Sequence, residues 1–255
     1  MSDGALSGKH AVVTGGGRGI GSAIASALAQ HGASVTLMGR DRTRLESRAR
    51  ELAALAVTAD IADADSVAQA FTRAISAAGP VHILVNNAGA AASAPFVRTE
   101  LALWRQMLEV NLTGTYLCCK QVLPGMLESG FGRVVNIAST AGLTGYPYVT
   151  AYCAAKHGVV GLTRALALET ARRNVTVNAV CPGYTETDLL GDAIANIVRT
   201  TGKSEDEARA ALLSRNPQRR LMQPEEVANA ALWLCLPGAE AITGQAIAVA
   251  GGELL

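Results

Sequence analysis

Residues His10–Gly21 read HAVVTGGGRGIG: a short β-branched run, then five glycines among the seven residues from Gly15 to Gly21. A stretch of helical period follows, near Ile20–His31. Strand, glycine turn and helix in that order open a βαβ unit. Glycines let the backbone turn sharply and approach a ligand closely, and the first turn of a helix presents unpaired N–H groups and partial positive charge to an anion such as a pyrophosphate. A glycine-rich loop alone is weak evidence. Between the first strand and first helix of an α/β chain it points to a dinucleotide site.

The alternation continues along the chain. Further strands are expected at Ser34–Met38, Ala56–Ala59, Ile83–Asn86, Arg133–Ala138, Val175–Val180 and Ala246–Val249, after Ala11–Thr14. Helical stretches lie near Arg42–Ala54, Ala64–Ala77, Leu101–Glu128, Thr150–Arg172 and Pro224–Leu236. Strands buried on both faces of a parallel sheet should be continuously apolar, and HAVVTG, HILVNN and GRVVNIAS are. The expected fold is therefore α/β: one doubly wound, Rossmann-type domain over residues 1–255, with a seven-stranded parallel sheet flanked by helices. Right-handed crossovers place the loops leaving the strand C-termini along one edge, where such folds bind ligands. The rhythm pauses for 36 residues from Pro182 to Pro217, which read as two short, partly charged helices. That is far longer than an ordinary αβ connection, and a substrate-binding lid over 184–216 is expected; the alternative is a surface hairpin.

Composition narrows the class. The chain is 49% hydrophobic but only 4% aromatic, with 26 Gly among 255 residues, so its apolar material is small and aliphatic, suited to tight helix-on-sheet packing. A net charge of +1 gives no footprint for nucleic acid or an anionic membrane. No run of ~18 apolar residues occurs, and MSDGALSGKH lacks the pattern of a secretory signal, so a cytoplasmic location is expected. Cys118, Cys119, Cys153, Cys181 and Cys235 form an odd set without CxxC spacing and read as small buried hydrophobes in a reducing compartment. His10, His31, His82 and His157 have no partner at motif spacing; no metal site and no histidine chemistry are assigned.

The loop spacing is TGxxxGxG, and with it the chain resembles the short-chain dehydrogenase/reductase family over nearly its whole length. The shared features are Asp60-Ile61 after the third strand, Asn86-Asn87-Ala88-Gly89 after the fourth, Asn111, Ser139 and Tyr152-xxx-Lys156. They continue with Asn178-Ala179-Val180-Cys181-Pro182-Gly183 and Thr187. The resemblance implies a nicotinamide cofactor held by Gly15, Gly17, Arg18, Gly19, Ile20 and Gly21. Asp60 and Ile61 would lie at the adenine, Asn87, Ala88 and Gly89 along the cofactor, and Pro182, Gly183, Thr185 and Thr187 at the nicotinamide end, with Thr187 on its amide. It also implies that Lys156 holds the nicotinamide ribose, beside Tyr152, and that Asn111 anchors a water leading protons to Lys156. A homotetramer is the family expectation, with the helices bearing Leu117-Cys118-Cys119 and Leu162–Leu168 pairing across a dimer axis; ordinary burial is the alternative for both stretches.

The second strand chooses between the nicotinamide cofactors. An acid at its end would bind a ribose 2′-hydroxyl and repel a 2′-phosphate, but the strand ends Leu37-Met38-Gly39-Arg40. Arg40, with Arg18, offers guanidinium forks matched to phosphate, and NADP(H) is favoured over NAD(H). The alternative is that both arginines are solvated, with Asp41 pairing locally.

Ser139, Tyr152 and Lys156 form the candidate catalytic set, with Asn111. Residues four apart share a helix face, so the Lys156 ammonium is expected beside the Tyr152 hydroxyl, favouring phenolate. Moving a tyrosine from ~10 towards ~7 needs about 4 kcal/mol, for which a partly buried cation and the nicotinamide charge are the expected sources. Tyr152 would then exchange a proton with a carbonyl or alcohol oxygen near neutral pH, and Ser139 would donate a hydrogen bond to that oxygen. Phe96, Leu143, Tyr146, Tyr184 and Leu189 are candidate substrate contacts, and their apolar character suits a ketone with a hydrophobic body. The reading is an NADPH-dependent reductase of 3-oxoacyl thioesters or related bulky ketones. The alternatives are an NAD-dependent 3-hydroxyacyl or 3-hydroxybutyrate-type dehydrogenase and a catalytically silent NADPH-binding scaffold. The last strand is followed by Ala250-Gly251-Gly252 where family members often have Asp-Gly-Gly, which removes any contact made through that acid.

Overall fold

Strand β1 (His10–Thr14) is buried along its whole length because it sits inside a sheet, parallel to β2 (Ser34–Gly39) on one side and β4 (Ile83–Asn86) on the other. The computed structural model describes residues 4–254; Met1–Asp3, part of the stretch read above for a signal sequence, and Leu255 lie outside the described residues. The sheet has seven strands in the order β3-β2-β1-β4-β5-β6-β7, every neighbouring pair parallel. Strands β5 (Gly132–Ile137) and β6 (Val175–Pro182) are wholly buried, while the edges β3 (Leu55–Thr58) and β7 (Ala246–Val249) are not. The strand order reverses between β1 and β4, so the crevice beyond their C-terminal ends is the expected ligand position.

Alternate residues of β1 feed two cores. Val13 packs with Ile24, Ala25 and Leu28 of α1 (Gly19–Gln30) and with Val227, Ala228 and Ala231 of α9 (Pro224–Trp233). Val12 faces the other layer, with Val67, Ala70 and Phe71 of α3 (Ala64–Ala78) and Cys118, Val122 and Met126 of α5 (Gly114–Ser129). Alanines at these contacts let helices approach the sheet closely, which is where the aromatic-poor composition goes. The five cysteines are free, four of them buried. Burial pushes the thiols of Cys119 and Cys235 up to about 12 and that of Cys118 higher still, so they behave as hydrophobes. Among the described residues there is no cluster of metal-ligating side chains and no helix long and apolar enough to cross a membrane.

Two elements differ from the sequence reading. The stretch Leu101–Glu128 is not one helix: α4 (Leu101–Leu108) passes through a π-helical turn, Glu109–Thr113, into α5. Asn111 sits in that turn, and its Nδ2 donates to the Met107 carbonyl at 3.0 Å. Gly114, which follows the turn, lies so close to Ile61 that a Cβ there would come within 2.9 Å of the Ile61 carbonyl oxygen. Strand β6 also runs on to Pro182, because Cys181 and Pro182 still pair with β7. The irregular excursion forms α7 (Asp188–Thr201) and α8 (Glu205–Leu213), which bury Leu190, Ile194, Ala208 and Leu221 in a cluster of their own. Helix α8 starts on a capping box between Ser204 and Glu207. His10 lies at the opposite edge of the sheet, its ring between the Gly79 carbonyl and the Thr36 hydroxyl.

Candidate active site

Thr14, the last residue of β1, clamps two strand exits together. Its hydroxyl accepts from the backbone N–H groups of Asn87 (3.0 Å) and Ala88 (3.1 Å), and Asn87 Nδ2 donates to the carbonyls of Thr14 (3.0 Å) and Gly15 (3.2 Å). The Asn87 side chain is therefore spent on the loop, leaving its backbone and those of Ala88 and Gly89 to line the crevice. Gly15 and Gly19 have φ of +64° and +51°, and a Cβ at Gly21 would lie 2.3 Å from the Gly15 carbonyl oxygen. Only glycine lets this loop close against α1. The first turn of α1 has no capping side chain and no acid, so its N–H groups and positive end are available to an anion. This backbone fits a dinucleotide pyrophosphate.

Around the loop the predicted cofactor residues divide. Asp60 is exposed and its carboxylate accepts from Ala62 N at 3.0 Å, closing the turn after β3. Ile61 turns into the core against Gly114. Thr187, just before α7, packs over the glycine loop: a Cβ on Gly19 would sit 3.1 Å from its methyl. Thr185 and Thr187 donate to the carbonyls of Gly183 and Thr185 respectively. Gly39 and Arg40 stand at the end of β2, with Arg40 exposed. Asp41 pairs locally, though with Arg44 and not with Arg40: it caps α2 (Arg42–Leu52) and meets Arg44 at 3.1 Å. Arg18 is also not free. It pairs with Asp188 of α7 at 2.6 Å, and Arg44 meets the same carboxylate at 3.2 Å. The two guanidinium groups, Arg18 first, hold the Asp188 carboxyl below its ordinary range.

Ser139 follows β5, its extended backbone opening a short 3-10 turn over Thr140–Gly142. Its hydroxyl accepts from Ala141 N at 3.1 Å and lies near enough to the Tyr152 phenol to lower its pKa. Tyr152 and Lys156 lie on one face of α6 (Thr150–Thr170), with the Lys156 Nζ 5.6 Å from the centre of the Tyr152 ring. Gly142 lets the turn after β5 press on this helix, since a Cβ there would be 2.7 Å from the Lys156 carbonyl. Asn111 completes the group: it accepts from Ala90 N (3.2 Å) and donates to the Ala90 carbonyl (2.8 Å). A Cβ on Gly89 would lie 2.7 Å from Asn111 Oδ1 and 3.7 Å from Lys156 Nζ, so glycine is what brings these three together.

The electrostatics correct one expectation. Lys156 Nζ donates to the Ile137 carbonyl at 2.9 Å instead of to the phenol. Burial pushes Tyr152 up to about 12, opposed by the nearby Ser139 hydroxyl, and brings buried Lys156 down to about 8. Desolvation dominates, so these side chains alone keep Tyr152 a phenol and a proton donor.

Of the substrate candidates, Tyr146 and Tyr184 meet edge to face, ring centres 6.4 Å apart. The Tyr146 hydroxyl is not free for a ligand: it lies 2.6 Å from Glu253 and 2.8 Å from the Thr140 hydroxyl. Leu143 is half-buried by Val159 and Val160, Leu189 is partly exposed, and Phe96 stands out at 71% exposure on the loop before α4. Sequence reasoning assigned no role to Thr14, Arg44, Asp188 or Glu253. Thr14 was visible as the strand-end hydroxyl of the glycine motif; the other three make contacts across 100 residues or more, which spacing does not reveal.

The family model for short chain dehydrogenases matches residues 9–197. The chain is 39% identical over 253 residues to the 3-oxoacyl-acyl-carrier-protein reductase FabG of Aquifex aeolicus, covering 97% of this chain and 98% of that protein. It is 40% identical over 245 residues to 2-(S)-hydroxypropyl-CoM dehydrogenase 3 of Xanthobacter autotrophicus, 94% of each chain. The crystal structure of a single-substitution variant of actinorhodin polyketide ketoreductase with NADPH superposes with a TM-score of 0.93 at 40% identity, over 96% of this chain and 97% of that one.

Proposed function

Because the chain belongs to the short-chain dehydrogenase family, we propose that it is an NADPH-dependent reductase of ketones, acting on 3-oxoacyl thioesters or related bulky ketones. The convergence of Ser139, Tyr152 and Lys156 beside a glycine cradle built for a pyrophosphate carries this reading. The relatives named for 3-oxoacyl and polyketide ketone reduction support the substrate class, as do the apolar and aromatic side chains around Tyr146 and Tyr184.

In this reading the backbone of Gly15, Gly17, Gly19, Ile20 and Gly21 holds the pyrophosphate, and Asn87–Gly89 line the crevice. Asp60 and Ile61 bound the adenine side, and Pro182, Gly183, Thr185 and Thr187 the nicotinamide side. Arg18 and Arg40 read the 2′-phosphate. NADPH, when bound, supplies the hydride and a positive charge developing on its ring. Tyr152 gives its proton to the substrate oxygen, which Ser139 steadies with a hydrogen bond as negative charge grows there. Lys156 replaces the proton's charge beside Tyr152 and holds the ribose. Asn111 keeps the π-helical turn and Ala90 fixed, and orients the water that relays protons to Lys156. Residues 1–255 act as one domain, with 184–216 as the substrate lid, in a cytoplasmic homotetramer. Leu168, 84% exposed on α6, supports burial of that helix against another subunit, whereas Cys118 and Cys119 face the protein's own core.

Tyr152→Phe tests the assignment. NADPH binding, followed by fluorescence, is expected to stay within a few-fold of wild type. Reduction of acetoacetyl thioesters and bicyclic ketones should fall by about 10²–10⁴-fold. Turnover by the variant at the wild-type rate would refute it.

A further inference from the structure

The tail beyond β7 carries a carboxylate that the reaction does not use. Glu253 is 8% exposed, and among the described residues no salt bridge reaches it. A charge so placed is costly unless hydrogen bonds replace its water. One does: the Tyr146 hydroxyl donates to Glu253 Oε1 at 2.6 Å. Having given its only proton to the carboxylate, that hydroxyl accepts from Thr140 at 2.8 Å. Space for the acid is reserved by Gly183, where a Cβ would come 2.9 Å from Glu253 Oε2. The same tail is pinned to the far end of the excursion, since Gly251, with φ of +60°, leaves room only for the Asn216 carboxamide.

Tyr146 belongs to the loop joining Ser139 to Tyr152, and Thr140 adjoins Ser139. The ring is held on its other sides by the Tyr184 edge and by the Arg215 guanidinium, 4.8 Å above its centre. Burial and the neighbouring Glu253 raise the Tyr146 phenol well above its ordinary range, so the donor persists across working pH.

We propose that Glu253 is a specificity-determining positioning residue: through the Tyr146 hydroxyl it fixes that ring as a rigid wall of the substrate pocket and ties the tail, the catalytic loop and the lid together. The inference rests on the ketone-reductase reading and names what sets its substrate range. A wall braced at the hydroxyl edge discriminates between ketone bodies of different breadth, whereas a released ring yields to either.

Four proteins test it: Tyr146→Phe, Glu253→Ala, Glu253→Gln and the double variant Tyr146→Phe/Glu253→Ala. Each is assayed as NADPH-loaded enzyme on one small and one bicyclic ketone, and each is followed by amide hydrogen exchange over residues 140–148. Glu253→Ala and Tyr146→Phe should each compress the ratio of the two kcat/KM values by about tenfold. The change should fall mainly in KM for the ketone the wild type prefers, with faster exchange in the loop. The double variant should be no worse than either single one, because both remove the same bond. Glu253→Gln, whose amide oxygen still accepts, should restore the ratio. Additive effects, equal losses on both ketones, or unaltered loop exchange would overturn the proposal. Should the wild type reduce neither ketone, the reductase reading falls and the specificity role with it. A wild type active on both, with an unmoved ratio in the variants, removes the inference alone.

Discussion

Gly39→Asp reverses the cofactor preference if the end of β2 reads the ribose as argued. The substitution fits without strain: the nearest atoms to a Cβ at this position are Leu45 side-chain atoms at 3.6–3.9 Å, an ordinary van der Waals contact, and the backbone is not left-handed. The new carboxylate stands beside exposed Arg40, at the strand end whose Met38 carbonyl accepts from Gly15 N at 2.7 Å. Two like charges about 5 Å apart repel by about 1–3 kcal/mol at effective dielectric constants between those of a protein surface and water. A phosphate monoester carries more than one charge at neutral pH, which raises that figure, while partial exposure lowers it. A loss of about 2–3 kcal/mol, or 30- to 150-fold in NADPH Kd, is the expected size. NADH should bind more tightly, because the acid can accept from the 2′-hydroxyl. Fluorescence titration with each cofactor gives the ratio directly, and its displacement should shrink as salt is added. A folded variant whose NADPH/NADH ratio stays within about threefold of wild type would refute the assignment of Arg18 and Arg40 to the phosphate.

The remaining predictions concern charge and packing. Asp188→Asn releases Arg18 and Arg44 from their shared carboxylate, and because exposed pairs are worth about 0–1 kcal/mol it should tighten NADPH up to about fivefold while leaving NADH unmoved. Equal changes for both cofactors, read by calorimetric titration, would contradict it. Burial lowers Lys156 from 10.5 to about 8, so between those values the unfolded chain binds more protons and wild-type stability should rise with pH. Lys156→Met, inactive, should therefore melt higher than wild type at pH 7 and lose that advantage as pH goes from 8 towards 10; a gap that does not change with pH would be the contrary result. Gly89→Ala drives a methyl to 2.7 Å from Asn111 Oδ1 and should cost about 1–3 kcal/mol in stability, lowering kcat more than NADPH affinity. Unchanged kcat would show that the Asn111 clamp carries no part of the reaction.

How much of this the sequence reveals depends on the range of each contact. The sheet was readable because β1 and β4 are buried on both faces and carry the apolar runs Ala11–Val13 and Ile83–Val85, and because Gly15, Gly19 and Gly21 punctuate the first crossover. Tyr152 and Lys156 were readable because a helix makes four residues a fixed distance. The π-helical turn at Glu109–Thr113 was not, since its apolar period differs little from that of an α-helix and one of its close contacts, Gly114 against Ile61, joins residues 53 positions apart. Arg18 was read as a phosphate ligand without Asp188, its partner 170 positions along. The desolvation that raises the Tyr152 phenol is likewise invisible in spacing, which shows only the neighbouring cation. At the C-terminus the sequence shows no acid directly after β7, yet the acid three residues further on, Glu253, bonds a tyrosine 107 positions earlier.

Helices α7 and α8 bury Leu190, Ile194, Ala208 and Leu221 among themselves and not in either of the two cores that flank the sheet. A substitution among these buried side chains is therefore felt first within this annex, away from β1 and the cores beneath the sheet, whereas Thr187 and Asp188 at the start of α7 still bear on the glycine turn. Folding and substrate choice are, to that extent, separately mutable. Under the proposed reading of 184–216 as the substrate lid, substitutions inside this annex shift the choice of ketone while the hydride chemistry on α6 stays under independent selection.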